Sequence, residues 1–174
     1  KSKIKLFSTL GSRATFGMLV LDLKKKYKNL FVVTADVSTS AGLDRYKKQF
    51  RESYLDVGIS EQNMIGVATG LSTEGFDVIT TTFSPFQTAR CCEQIKVNLG
   101  YMKNKVCMVG LASGIVLGNL GYTHCSVEDI GILRSMGLTK NAILRIFFIC
   151  GSLIGIIGTI IGFIIGVLFV NYIS

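Results

Sequence analysis

The sequence has one histidine, one proline and no tryptophan among 174 residues. Its five cysteines, Cys91, Cys92, Cys107, Cys125 and Cys150, are odd in number and contain no CxxC pair. A single histidine beside such cysteines argues against a Cys/His zinc site, and no metal ligand is assigned. Free thiols in a reducing compartment are the simpler reading. Charge is scarce too, at 17% of residues against 49% hydrophobic, which excludes a disordered chain.

The charge that is present is unevenly placed. From residue 138 to the end only Lys140 and Arg145 are charged. Of the formal net charge of +8, those two residues carry +2 and the earlier residues, which hold all the acidic groups, carry +6. Their lysines are not interleaved with aromatics, so a nucleic-acid role has no support. The cluster Lys24, Lys25, Lys26 and Lys28 reads as the solvated last turn of a helix. The chain opens on KSKIK, with neither a methionine nor a signal-peptide pattern, and is read as lacking its true start.

Residues 146–170 read IFFICGSLIGIIGTIIGFIIGVLFV, 25 positions without a charge. As a helix, at about 1.5 Å per residue, this run would reach roughly 37 Å against about 30 Å of hydrocarbon. The expectation is a transmembrane helix, with membrane lipid as a partner of the tail. Gly151, Gly155, Gly158, Gly162 and Gly166 would form one stripe, a face that another helix can approach closely. Arg134, Lys140 and Arg145 precede the run and no basic residue follows it. That asymmetry predicts an inner or cytoplasmic membrane location with the earlier domain on the cytoplasmic side. Residues 137–145 are expected to be a basic linker or helix.

Residues 1–136 alternate helical and strand patterns. Helices are expected over 11–29, with Ser12 as N-cap, over 61–74, closed by Gly75, over 86–101, and over 126–136. The last has Ser126 as N-cap and Asp129 at the capping-box position. Short β-branched or apolar runs predict strands over 30–35, 53–57, 77–82 and 105–111. A glycine-rich loop, 112–123, comes after the last strand. This alternation predicts an α/β fold: a three-layer parallel sheet with functional residues at the carboxyl ends of its strands. Polar residues do collect at those ends: Asp36 and Ser38, then Asp56 with Ser60, Glu61, Gln62 and Asn63, then Ser84, then His124.

Four motifs give these ends a chemistry: ADVSTS (35–40), DVGISEQNMIGVATGL (56–71), TTFSPFQTARCCEQI (81–95) and GYTHCSVEDIGILRSM (121–136). In this order and at this spacing, over about residues 10–136, they resemble the pyrimidine-binding domain of transketolases. The likeness is to the split form, whose pyrimidine domain and diphosphate-binding domain sit on separate chains. The resemblance implies a thiamine diphosphate site for two-carbon ketol transfer between sugars. Glu61 would hydrogen-bond N1′ of the aminopyrimidine and so promote loss of the thiazolium C2 proton. That role needs Glu61 protonated part of the time; apolar burial favours it and a helix N-terminus opposes it. Phe86 would stack on the pyrimidine, with Phe83 beside it. His124 would meet the sugar near its reacting carbonyl, in an acid–base or hydrogen-bonding role.

The departures from the family are equally informative. No GDG-type motif with a following asparagine is present, so magnesium and diphosphate would be held by a partner subunit. The family's C-terminal domain is missing too, and the chain is expected to be inactive alone and to work in a dimer or larger assembly. Many transketolases carry an aspartate four residues before the histidine; here that position is Leu120.

The residues after 136, together with DIGILRSM (129–136), resemble the permease subunits of lipoprotein-releasing ABC transporters. The chain thus reads as a chimera. The alternative function is a membrane or permease-like fragment carrying an inert transketolase-like domain.

Overall fold

The computed structural model describes residues 10–128. The expected linker 137–145, the expected transmembrane helix 146–170 and all but the first residues of the expected helix 126–136 lie outside them. Among the described residues no helix is long and apolar enough to cross a membrane.

The sheet starts from β1 (Leu30–Thr34), whose sequence LFVVT buries every residue but one almost completely. Side chains alternate across a strand, so β1 feeds two cores. Leu30 and Val32 enter one cluster; Val33 enters the other. The remaining strands are β2 (Tyr54–Asp56), β3 (Asp77–Phe83) and β4 (Val106–Leu111), in the order β2-β1-β3-β4 with every pairing parallel. Thr34 stands opposite both Asp56 and Thr81, so β1 and β2 end level and β3 runs two residues further, to Phe83.

Parallel strands need crossovers, and these supply the outer layers. α1 (Ser12–Lys26) and α2 (Asp44–Gln49) cover one face through Val20 and Tyr46. α3 (Glu61–Thr73) covers the other through Met64, Ile65 and Ala68. The expected three-layer parallel α/β sheet is what forms. Gly17 of α1 lies so close to the loop after β1 that a Cβ there would meet the Gly42 carbonyl oxygen at 2.1 Å.

Three local expectations need correcting. Ser12 is the first helical residue rather than the cap: Gly11 holds the cap position, without a side-chain hydrogen bond. The expected helix 86–101 is broken into α4 (Ser84–Thr88), α5 (Cys92–Gln94) and a π-helical segment, Ile95–Tyr101. Ser126 forms a bridge with Gly114, and its hydroxyl accepts the Gly114 N–H at 2.8 Å. The short α2 has no counterpart among the expected elements; only Tyr46 of its DRYKKQ is buried.

The threonine run of β3 is polar but buried. Its hydroxyls find partners: Thr81 Oγ1 donates to the Val109 carbonyl at 2.8 Å, and Gln87 Nε2 donates to Thr80 Oγ1 at 2.7 Å. These bonds tie β3 to β4 and to α4, and so set where Phe83 and α4 lie.

Candidate functional site

The turn after β2 fixes the first group. Asp56 Oδ1 accepts the N–H of Asp36 at 2.8 Å and that of Gly58 at 3.0 Å. Asp36 itself has φ +56, a left-handed bend uncommon outside glycine. Burial works against ionising Asp56, yet these two N–H groups, with Thr34 and Lys47, hold its pKa below the ordinary carboxylate value. The carboxylate thus ties the ends of β1 and β2 together just ahead of α3. Ser60 then holds its own turn, donating from Oγ to the Val57 carbonyl at 2.8 Å.

Glu61 opens α3, and its side chain is 5% exposed. A buried carboxylate needs a compensating charge. Arg90 provides it: Nη1 donates to both Oε1 and Oε2 at 2.8 Å. The guanidinium also lies over the ring of Phe86, 4.0 Å from its centroid. Phe86 is on α4, where the single proline, Pro85, occupies the first turn, a position that tolerates its missing N–H.

Phe86, Phe83 and His124 form an aromatic cluster. The ring of His124 is 5.1 Å from Phe86 and 6.3 Å from Phe83, and the two phenylalanines are 6.3 Å apart, all edge to face. His124 arrives on a 3-10 turn, Tyr122–His124, whose entry depends on Gly121 at φ +91. Its Nδ1 lies 3.1 Å from Thr123 Oγ1. The four residues singled out in the sequence, Glu61, Phe83, Phe86 and His124, are therefore brought to one place at the carboxyl end of the sheet. Leu120 is also on this loop, half exposed at 54%, and offers no charge.

Arg90 escapes the sequence reading. Its signals are its place inside the motif 81–95 and a position four residues after Phe86, a spacing that places two side chains on one side of a helical turn. Cys91 beside it is fully buried. Its thiol is pushed up to about 12, first by burial and then by Glu61, with Arg90 opposing, so it is no nucleophile here. Among the described residues no group of three or more His, Cys, Asp or Glu is placed to hold a metal.

The family described as transketolase, pyrimidine binding domain, matches residues 8–142. The chain belongs to this family. It is 40% identical over 126 residues to a putative transketolase C-terminal section of Methanocaldococcus jannaschii, covering 72% of this chain and 40% of that protein. It is 34% identical over 126 residues to a subunit of the apulose-4-phosphate transketolase of Phocaeicola vulgatus, again with 72% and 40% coverage. Among solved structures it is similar to a split-gene transketolase described as an inactive beta4 tetramer. That match has 32% identity and a TM-score of 0.59, over 68% of this chain and 38% of that one. The transketolase of Campylobacter jejuni, at 23% identity and TM-score 0.64 over 72% of this chain and 20% of that one, shares the fold. The chain spans 40% of the length of these two curated relatives.

Proposed function

We propose that this chain supplies the pyrimidine-binding half of a thiamine diphosphate site in a split transketolase. The observation that carries the reading is a buried carboxylate, Glu61, and an aromatic face, Phe86, already gathered under one planar cationic group. That donor set fits an aminopyrimidine, which is flat, stacks, and offers a ring nitrogen to a carboxylate. When bound, thiamine diphosphate supplies the activated carbon that carries a two-carbon ketol unit between sugars.

The chain's own residues divide the remaining work. Glu61 would meet N1′ of the bound cofactor and exchange a proton there. Phe86 holds the ring face, and Phe83 packs edge-on against Phe86 and His124 to fix their angle. His124 is half-buried beside Phe86, where one ring nitrogen can donate to or accept from a sugar oxygen. Leu120 offers no charge where many transketolases have aspartate, which supports a sugar recognition different from theirs.

Magnesium and diphosphate fall to a partner subunit, in a dimer or larger assembly. Two curated relatives point the same way, being named as a subunit and a C-terminal section. Residues 1–136 form the pyrimidine domain and 137–145 the basic linker. The 25-residue uncharged run 146–170 favours a membrane anchor, with the domain on the cytoplasmic side. Protease added to sealed inverted vesicles is expected to digest the domain; full protection contradicts that placement.

The functional reading is tested by mixing the chain with a diphosphate-binding transketolase subunit and assaying ketol transfer. Activity is expected from the mixture and from neither component alone. An active chain without partner, or a mixture that binds cofactor but does not transfer ketol units, overturns the reading.

A further inference from the structure

Arg90 occupies the space that the proposed reading gives to the cofactor's pyrimidine. Its side chain covers the face of Phe86 and takes both oxygens of Glu61 through a single nitrogen. A guanidinium is flat, delocalised and rich in in-plane N–H donors. An aminopyrimidine protonated on its ring nitrogen presents the same features: a flat, cationic face and one N–H directed at a carboxylate. A ring stacked on Phe86 and bonded to Glu61 needs the volume that the guanidinium fills.

We propose that Arg90 is an internal stand-in for the pyrimidine, filling the gap between Glu61 and Phe86 until the ring displaces it. The inference rests on the proposed thiamine diphosphate site. Two observations make the exchange physically reasonable. Glu61 is 5% exposed, so without a cation it would be a buried, unpaired charge in the empty site. Arg90 is 43% exposed, so its side chain can turn into solvent with little desolvation in either position. Its main chain stays anchored meanwhile: the Arg90 carbonyl accepts Gln62 Nε2 at 3.0 Å, independently of the guanidinium. The consequence is a lowered affinity for the ring, reduced by the fraction of time the guanidinium is in place. No other partner of the site is needed for this effect, so it is present in the full chain on its own.

The test uses 4-amino-2,5-dimethylpyrimidine, the isolated ring, titrated into the full chain and followed by ligand-observed NMR. Wild type, Arg90→Ala and Arg90→Lys are compared, with a thermal melt of each. Arg90→Ala is expected to bind the ring about tenfold or more tightly than wild type. Millimolar guanidinium ion is expected to compete with the ring in Arg90→Ala far more than in wild type, because it refills the same space. Lysine can pair with Glu61 but cannot cover Phe86, so Arg90→Lys is also expected to bind more tightly than wild type; it decides the matter if Arg90→Ala does not fold. Equal or weaker ring binding in the folded variants, or binding to none of the three forms, overturns the stand-in. Thiamine diphosphate binding by wild type with a diphosphate-binding partner is measured alongside. Binding there without any gain from the Arg90 variants overturns the stand-in alone, whereas no binding there overturns the wider site.

Discussion

At the scale of single residues, Glu61 and its neighbours are placed very differently. Glu61 is buried and paired, Arg90 is near the surface, and His124 is between the two. Glu61→Gln is therefore informative. Glutamine keeps the size, and its amide oxygen can still accept from Arg90, so the fold is expected to survive with an unchanged melting curve. It cannot exchange a proton with N1′. Ketol transfer in the reconstituted pair is expected to fall by about 10²–10⁴-fold, the usual scale of acid–base contributions. Full activity in the Gln variant would remove Glu61 from the mechanism. Glu61, Phe83, Phe86 and His124 are legible in the sequence because each lies inside a motif at a strand end. Arg90 lies in the same motif as Phe83 and Phe86 yet is not legible, because its role depends on a residue 29 positions away in the chain.

At the scale of elements, strands are easier to read than helices. The run LFVVT, apolar but for its last residue and rich in β-branched side chains, has the character of a strand buried on both faces, and β1 begins where that run begins. The break after α4 goes with side-chain hydrogen bonds, one local and one from α3, that no periodicity records. Gln62 draws the Arg90 carbonyl toward α3, and the Cys91 thiol donates to the Phe86 carbonyl at 3.2 Å. Both divert groups that a continuous helix would use. The packing of α1 gives a direct prediction. Gly17→Ala puts a methyl group against the Gly42 carbonyl, a backbone atom that cannot move as a side-chain end would. A loss of roughly 1–3 kcal/mol is expected, as for other overpacked positions. Chemical denaturation of Gly17→Ala beside Gly11→Ala, where a Cβ meets nothing within 4 Å, checks it. Equal stability of the two variants would mean that α1 does not press on that loop.

At the scale of the molecule, two buried groups set a limit at high pH. Burial pushes the Tyr46 phenol up to about 12 from 10.0, and the Cys91 thiol to about 12 from 9.0, Glu61 adding to the latter and Arg90 opposing it. Both acids are held neutral in the fold more strongly than in the unfolded chain. The stability they contribute is whole below pH 9 and is lost as pH rises from 9 toward 12. Urea melts at stepped pH should show this decline, and Tyr46→Phe with Cys91→Ala should flatten it. An unchanged slope in the double variant would assign the decline to other groups.

The proposal that these residues make half of a thiamine diphosphate site also belongs to the molecule as a whole, because the other half lies on a partner. Calorimetric titration of thiamine diphosphate with magnesium tests it most directly. The chain alone, the chain with a diphosphate-binding transketolase subunit, and that mixture with Phe86→Ala are compared. The expected result is no micromolar binding by the chain alone, micromolar binding by the mixture, and marked weakening in Phe86→Ala. Micromolar binding by the chain alone, or a mixture indifferent to Phe86, would contradict a half-site.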